Sequence, residues 1–216
     1  MSPAKTAWIR REREEDHREV ETLTRDAFWN LYVPGCLEHY VTHVVREHAD
    51  CVPELDLVIG VGERIVGSIL YTRATLVDEA GREKTILTFG PVCVRPEEQR
   101  RGYGGQLIRH SLQMAAQMGF DAVVIFGSPD NYARHGFVSC RKKDVCLEDG
   151  SFPAGMLVRE LTEGALQGHR WVYRGSTAYE VDEQKAQAFD QLFEPREKAW
   201  RPSQETFYIL SRARLE

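Results

Sequence analysis

The sequence has no long apolar run. Its apolar stretches stay as short as Ala122-Val123-Val124-Ile125-Phe126, whereas a bilayer span needs about 20 such residues, so no membrane partner is expected. The first residues lack the apolar core of a secretory leader: Lys5 is followed within a few positions by the charged run Arg10, Arg11, Glu12, Arg13, Glu14, Glu15 and Asp16. Cysteine is scarce and odd in number, with five residues (Cys36, Cys51, Cys93, Cys140, Cys146) and no Cys-x-x-Cys pair. That argues against a disulfide framework and a zinc site, so the expectation is no metal and a reducing, cytoplasmic setting. Basic residues are outnumbered, 28 Lys and Arg against 33 Asp and Glu for a formal charge of −5, and they form no stripe. Nucleic acid is therefore not expected as the main partner, and a basic or neutral small molecule suits the charge better. No Gly-Lys-Ser/Thr is present, which excludes a P-loop. Nor is there a repeat, a low-complexity tract or a linker long enough to separate two domains, and 216 residues suit one domain with a short appendage.

What is present reads as alternating strands and helices. A first strand is expected over 8–10, then a helix from the cap Asp16 to Phe28 with Val20, Leu23, Thr24 and Ala27 on one face. Pro34-Gly35 breaks it, and a second helix is expected over 36–47. The β-branched runs 55–61 and 65–75, joined by Gly62-Glu63-Arg64, predict a hairpin, and 85–94 predicts a third strand interrupted or bulged at Gly90-Pro91. A helix over 106–118 presents Leu107, Ile108, Leu112, Ala115 and Ala116, ends at Gly119 and leads into a buried strand at 122–126. Strand, helix and strand at this spacing imply a parallel pair with a right-handed crossover. Downstream, a helical turn is expected over 130–135 and extended chain over 137–147. Strands are expected at 156–161, 171–173, 178–181 and 204–210, with a helix over 182–194.

The most informative segment is Val94-Arg95-Pro96-Glu97-Glu98-Gln99-Arg100-Arg101-Gly102-Tyr103-Gly104-Gly105. Glycines let the backbone approach a ligand closely, and the following helix aims unpaired N–H groups and a positive dipole end into the loop, which suits a pyrophosphate. A dinucleotide-binding loop fits poorly, because several residues separate Val94 from Gly102 and Leu107 stands where the third glycine belongs.

Gln99-Arg100-Arg101-Gly102-Tyr103-Gly104 resembles the Q/R-x-x-G-x-G/A signature of the GNAT superfamily of N-acetyltransferases. Gly90-Pro91-Val92-Cys93-Val94 resembles that family's fourth, bulged strand, and Tyr132-Ala133-Arg134-His135-Gly136-Phe137 its Tyr-x-x-x-Gly-Phe end. The resemblance runs in outline from Trp8 to Leu161, and residues 126–137 with 164–179 further resemble the YhbS-like subgroup. It implies an α/β GNAT fold, with a mixed, strongly twisted central sheet and helices on both faces. Residues 1–161 would form the acetyltransferase domain and 162–216 a C-terminal extension packed on it. It also implies acetyl-CoA as co-substrate, held by Val92, Cys93, Val94, Gln99, Arg100, Arg101, Gly102, Tyr103, Gly104 and Gly105, with pantetheine in the gap between two diverging parallel strands.

Acyl transfer from a thioester to an amine needs a neutral amine, donors for the oxyanion and a proton for the leaving thiolate. By the resemblance Tyr132 supplies that proton, and a phenol still carries it at neutral pH. The base is open. Glu38, His39 and His43 share a helix face and could reach an acceptor groove, although a solvated face is the simpler reading of each. Ser128 stands where YhbS-like proteins often carry Asp or His, so a water chain or an already neutral acceptor is the expectation. Cys93 lies near the expected thioester but has no histidine beside it in sequence, and reads as a buried small hydrophobe. Trp171, Tyr173 and Tyr179 read as packing residues or as walls of an acceptor pocket. The expected reaction is direct transfer of an acetyl group to a primary amine. A non-catalytic acyl-CoA sensor and an acyltransferase acting on protein amines are the alternatives, and a homodimer is left open.

Overall fold

The computed structural model describes residues 6–216. The main sheet is built from strands β1 (Ala7–Arg11), β2 (Leu57–Val61), β3 (Arg64–Asp78), β4 (Glu83–Val94) and β5 (Ala122–Phe126), followed by the short β6 (Val138–Ser139) and β7 (Val145–Cys146). Past β8 (Phe152–Pro153) come β9 (Met156–Glu160), β10 (Trp171–Arg174) and the terminal β11 (Arg214–Leu215). The helices are α1 (His17–Phe28), α2 (Glu38–Val45), α3 (Tyr103–Gln117), the single turn α4 (Pro129–Tyr132), α5 (Glu183–Asp190) and α6 (Pro202–Arg212). Strand order is β1-β2-β3-β4-β5-β9-β6, with β10 joining the far half of β3 and also β7, while β11 pairs with β8 apart.

Alternation along the strands sets the layers. Leu57, Ile59, Ile69, Tyr71, Leu87, Phe89, Val123 and Ile125 pack against Leu107, Ile108 and Leu112 of α3. Val58, Ile65 and Cys93 point the other way, onto Val20, Leu23 and Phe28 of α1. Tyr71 brings a hydroxyl into the α3 layer, and Ser111 satisfies it at 2.8 Å. Helices thus cover both faces of a mixed sheet, as the resemblance implied.

The expected elements hold up to residue 136, with shifts at their ends. Asp16 precedes α1, but its carboxylate is taken by Arg10 (2.5 and 2.9 Å) and the Arg13 N–H (2.8 Å), so it does not cap the helix. Helix α2 starts at Glu38 rather than at 36, and Ala116 of α3 is exposed. Later segments differ more. The expected extended run 137–147 is broken by a helical turn at Cys140–Lys143, whose Arg141 N–H is held by the Ser139 hydroxyl and whose end turns on Asp144 at φ 50°. The expected strand at 178–181 is a turn, Thr177–Tyr179, capped by the Ser176 hydroxyl. The expected strand at 204–210 is helix α6. Its strand-like residues Phe207, Tyr208, Ile209 and Leu210 follow Pro202 at the helix start, and Ser203 and Gln204 tie that start to the carbonyls of Leu31 (2.7 Å) and Asn30 (3.1 Å). Tertiary anchoring outweighs local propensity there.

Candidate active site

Strands β4 and β5 run parallel but pair only at Leu87 and Val123, then diverge toward their carboxyl ends. Just beyond that pair, Gly90 and Pro91 bulge out of the ladder: Phe89 pairs with Tyr71 and Val92 with Ile69, so two residues of β4 stand against Leu70 alone. Proline, lacking an N–H, fits the interruption. Val92, Cys93 and Val94 then remain bonded to β3 along one edge, while their other edge faces the opening without a strand partner. A cleft between diverging parallel strands, with a main-chain edge unused, is where sheet physics places a ligand.

The loop after β4 closes the cleft at its far end. A short turn at Pro96–Glu98 is followed by Gln99, whose amide donates to the Val94 carbonyl at 3.1 Å and holds the loop against the strand. Arg100 is left-handed at φ 61°, as is Gly102 at φ 87°, the residue from which α3 starts. Among the described residues no side chain caps this helix, so its first N–H groups remain directed into the loop. A Cβ at position 104 would lie 3.5 Å from Val94, and one at position 105 would lie 3.3 Å from His135. The first of these is ordinary contact and the second is tight, so the lack of a side chain matters most at Gly105, and the main-chain donors here suit a pyrophosphate. Arg101 is engaged by Glu98 at 2.9 Å, whereas Arg100 is exposed and forms no ion pair among the described residues.

A 240 Å³ cavity lies here, lined by Val92, Cys93, Val94, Gln99, Gly104 and Gly105 together with Ile108, Asn131, Tyr132, Arg134 and His135. Of the residues singled out in the sequence, Arg100, Arg101, Gly102 and Tyr103 shape the loop without lining this cavity. Asn131, Arg134 and His135 are additions, and the sequence signal for them was their place in and beside Tyr132-x-x-x-Gly136. Burial, and then Arg134, Arg109 and Arg159, hold the His135 imidazole below its ordinary pKa, so it is neutral.

Cys93 faces away from this cleft with its side chain. Its Sγ lies 3.3 Å from the Ser68 hydroxyl and 3.4 Å from that of Thr24 under α1, and burial pushes the thiol up. It packs as a small hydrophobe, as its strand context suggested.

Tyr132 ends α4, its ring tilted against Phe89 (5.8 Å between centroids) and edge-on to Phe137 (5.9 Å). The approach to Gly127 is so close that a Cβ there would sit 2.5 Å from the Tyr132 ring. Only glycine fits at the exit of β5, and the Pro129 turn that follows delivers the phenol to the mouth of the cleft. No hydrogen bond holds its hydroxyl among the described residues, and burial pushes its pKa well above the ordinary phenol value, so the proton is present at neutral pH.

On the other side of Tyr132 lies a second cavity of 430 Å³. Phe28, Tyr32, Val92 and Tyr132 line both cavities and form the seam between them. Glu38 lines the second one, and burial raises its carboxyl above the usual range. The other two candidates on that helix do not reach it. His39 is fully buried between Cys36 (3.4 Å) and Asp190 (3.1 Å), and burial holds it down to about 4. His43 pairs with Glu21 at 2.9 Å and lies tilted against the Phe189 ring. Tyr173 and Tyr179 are walls of this cavity, while Trp171 packs in the core and donates to the Leu166 carbonyl at 3.0 Å. Ser128 precedes α4 and opens instead on a third, 490 Å³ cavity under α6. Among the described residues, no three His, Cys, Asp or Glu side chains converge as a metal-ligand set, and no helix is long and apolar enough to cross a membrane.

A sequence model of the Acetyltransferase (GNAT) family matches residues 25–140. The uncharacterized N-acetyltransferase YjhQ of Escherichia coli K12 is 35% identical over 102 residues, a match spanning 47% of this chain and about half (52%) of that protein. Among solved structures, the GNAT family N-acetyltransferase YhbS of Escherichia coli, in complex with CoA, superposes with a TM-score of 0.72. It is 22% identical, over 84% of this chain and 96% of that one. A GNAT family acetyltransferase of Brucella melitensis, in complex with acetyl-CoA, gives 0.63 at 24% identity, over 81% and 99%. At these identities the two structures show a shared fold.

Proposed function

This chain belongs to the Acetyltransferase (GNAT) family, and from that premise we propose that it transfers an acetyl group from acetyl-CoA to a primary amine by direct attack, with Tyr132 as general acid. The carrying observation is the seam: two cavities, one reached by the glycine cradle and one walled by aromatic rings, meet at Val92 and Tyr132. On this reading Gly102, Tyr103, Gly104 and Gly105 hold the pyrophosphate at the start of α3, with Arg100 and Arg101 adding charge and Gln99 fixing the loop. The free edge of Val92, Cys93 and Val94 orients the pantetheine. Residues 1–161 carry the acetyltransferase domain, and 162–216 form an extension that helps wall the acceptor side.

The two solved relatives, bound to CoA and to acetyl-CoA, support the choice of co-substrate. Tyr132 is suited to protonate the departing thiolate because its proton is held and its hydroxyl is uncommitted. The geometry favours direct attack over an acyl-cysteine, since the Cys93 side chain points into the α1 layer.

Thermal melting with acetyl-CoA and thiol release with an amine panel test the proposal. Acetyl-CoA is expected to raise Tm, because a ligand that binds only the folded state stabilises it. Gly104→Glu is expected to abolish the rise by filling the cradle with a side chain of the pyrophosphate's own sign. An undiminished rise in folded Gly104→Glu protein would remove the loop from the site.

A further inference from the structure

The 430 Å³ cavity beyond Tyr132 has an unusual lining. Among the described residues Glu38 is the only Asp, Glu, Lys or Arg in it; the walls are mostly apolar or aromatic, Phe28, Tyr32, Phe126 and Tyr173 among them, with Thr88 and Ser176 as neutral polar members. Glu38 is half-buried and forms no ion pair among the described residues; its carboxylate is met by main-chain N–H groups, that of Leu37 at 3.0 Å from Oε2 and its own. The titratable groups facing it are the phenols of Tyr32, Tyr132, Tyr173 and Tyr179, and Cys36 lies two residues before it. A half-buried carboxylate with no cationic partner is open to a ligand cation, and the pairing strengthens as the ligand covers it from water. Ring faces around it attract the same cation and bury an apolar body behind it.

Building on the acetyl-transfer reading, we propose that the acceptor is a monoamine on an aromatic or branched apolar body, and that Glu38 both anchors its ammonium and takes its proton. The volume suits roughly a dozen non-hydrogen atoms at about 30 Å³ of liquid volume each. A second charge on the substrate finds no counter-charge in the lining, so polyamines and free amino acids bind with an unpaired ion. Glu38 accepts one of the ammonium's three protons, and the freed lone pair forms the C–N bond to the thioester carbon. As the adduct collapses the C–S bond breaks, and Tyr132 gives its proton to sulfur. The second nitrogen proton restores the phenol, the third stays on the amide, and the Glu38 proton passes to solvent.

The test compares 2-phenylethylamine, spermidine and a lysine-bearing peptide by thiol release, alongside the acetyl-CoA-induced Tm shift. The phenylethylamine kcat/KM is expected to exceed the other two by at least about tenfold. Glu38→Gln is isosteric and keeps the acceptor for the Leu37 N–H. It is expected to lower that kcat/KM by roughly 10²-fold near neutral pH and leave the Tm shift in place. The loss should recover about tenfold per pH unit toward the pKa of the amine, as the neutral form becomes available from solution. Val41→Asp adds a second carboxylate one turn along α2 and is expected to move the preference toward spermidine. Preference of the wild type for spermidine or the peptide, an unchanged Glu38→Gln rate, or a Tm shift with no turnover of any amine overturns the inference and leaves the coenzyme site standing. Absence of the Tm shift in the wild type removes the reading beneath it.

Discussion

The two cavities on either side of Tyr132 are built differently. The one beside the glycine loop takes its distinctive part from main chain: an unpaired strand edge, a loop turned by left-handed Gly102, and Gly105, where a Cβ would press on His135. The other is made of side chains, brought by α1 and α2 (Phe28, Glu38, Val41), by β5 (Phe126) and by the chain around β10 (Tyr173, Tyr179). A backbone-built site is specified by what a short segment leaves out, whereas a side-chain-built site needs distant segments to be held in place. The second is therefore the more exposed to loss of tertiary anchoring.

That anchoring is concentrated at a few residues. Arg25 of α1 is 1% exposed, and its guanidinium is met by Asp190 of α5 (2.7 and 3.3 Å), by the Glu194 carbonyl (2.9 Å) and by the ring of Trp29. Asn30 accepts from the Ala199 N–H at 3.0 Å and donates to the Glu197 carbonyl at 3.1 Å. Tyr32, which lines both cavities, stacks on Phe207 of α6 at 4.6 Å.

The largest effect is expected at the seam, because Tyr132 serves whatever meets there. Tyr132→Phe removes one hydroxyl and keeps the packing on Phe89 and Phe137. We expect kcat to fall roughly 10²–10⁴-fold, with acetyl-CoA binding intact. Single-turnover thiol release at saturating amine checks this, and equal rates for mutant and wild type would reduce Tyr132 to a wall of the cleft.

Next in size is a change that strikes one half and spares the other. Asp190→Ala leaves Arg25 buried with the Glu194 carbonyl and the rings of Trp29 and Phe193 but no carboxylate, at a cost of roughly 3 kcal/mol. Urea unfolding reads that loss. Hydrogen exchange is expected to rise first in 183–212, and the KM for amine to increase more than the Kd for acetyl-CoA. Equal damage to both constants would show that the two halves are not separately supported.

The same contrast explains what the sequence disclosed. The loop, the bulge at Gly90-Pro91, the parallel pair and Tyr132 were legible because glycine, proline and β-branched runs impose local geometry. The walls of the second cavity were not: Glu38 looked like one of three equivalent helix residues until the fold buried His39 against Asp190, paired His43 with Glu21 and turned Glu38 inward. Phe207, Tyr208, Ile209 and Leu210 suggested a strand because propensity carries no information about Ser203 and Gln204 reaching Leu31 and Asn30. Asn131, Arg134 and His135 lay in or beside a recognised motif, yet only the fold brought them beside Gly105.

The smallest expected effect tests whether the main-chain half contributes side-chain chemistry at all. Cys93 lies on the strand edge nearest the proposed thioester, so an acyl-cysteine route would run through it. Its Sγ, however, is fixed between Ser68 and Thr24 on the α1 face, and burial raises its pKa, so the reactive thiolate is disfavoured. Cys93→Ala removes one buried sulfur and leaves a small void, at about 1 kcal/mol of stability. The main-chain groups of residue 93 remain, so kcat and the acetyl-CoA Tm shift are expected to stay within about twofold of wild type. Two measurements decide the matter: steady-state thiol release by the variant, and the intact mass of wild type mixed with acetyl-CoA in the absence of amine. A large loss of kcat together with an acetyl adduct on Cys93 would overturn direct attack. It would also show that the backbone-built half supplies a nucleophile as well as a cradle.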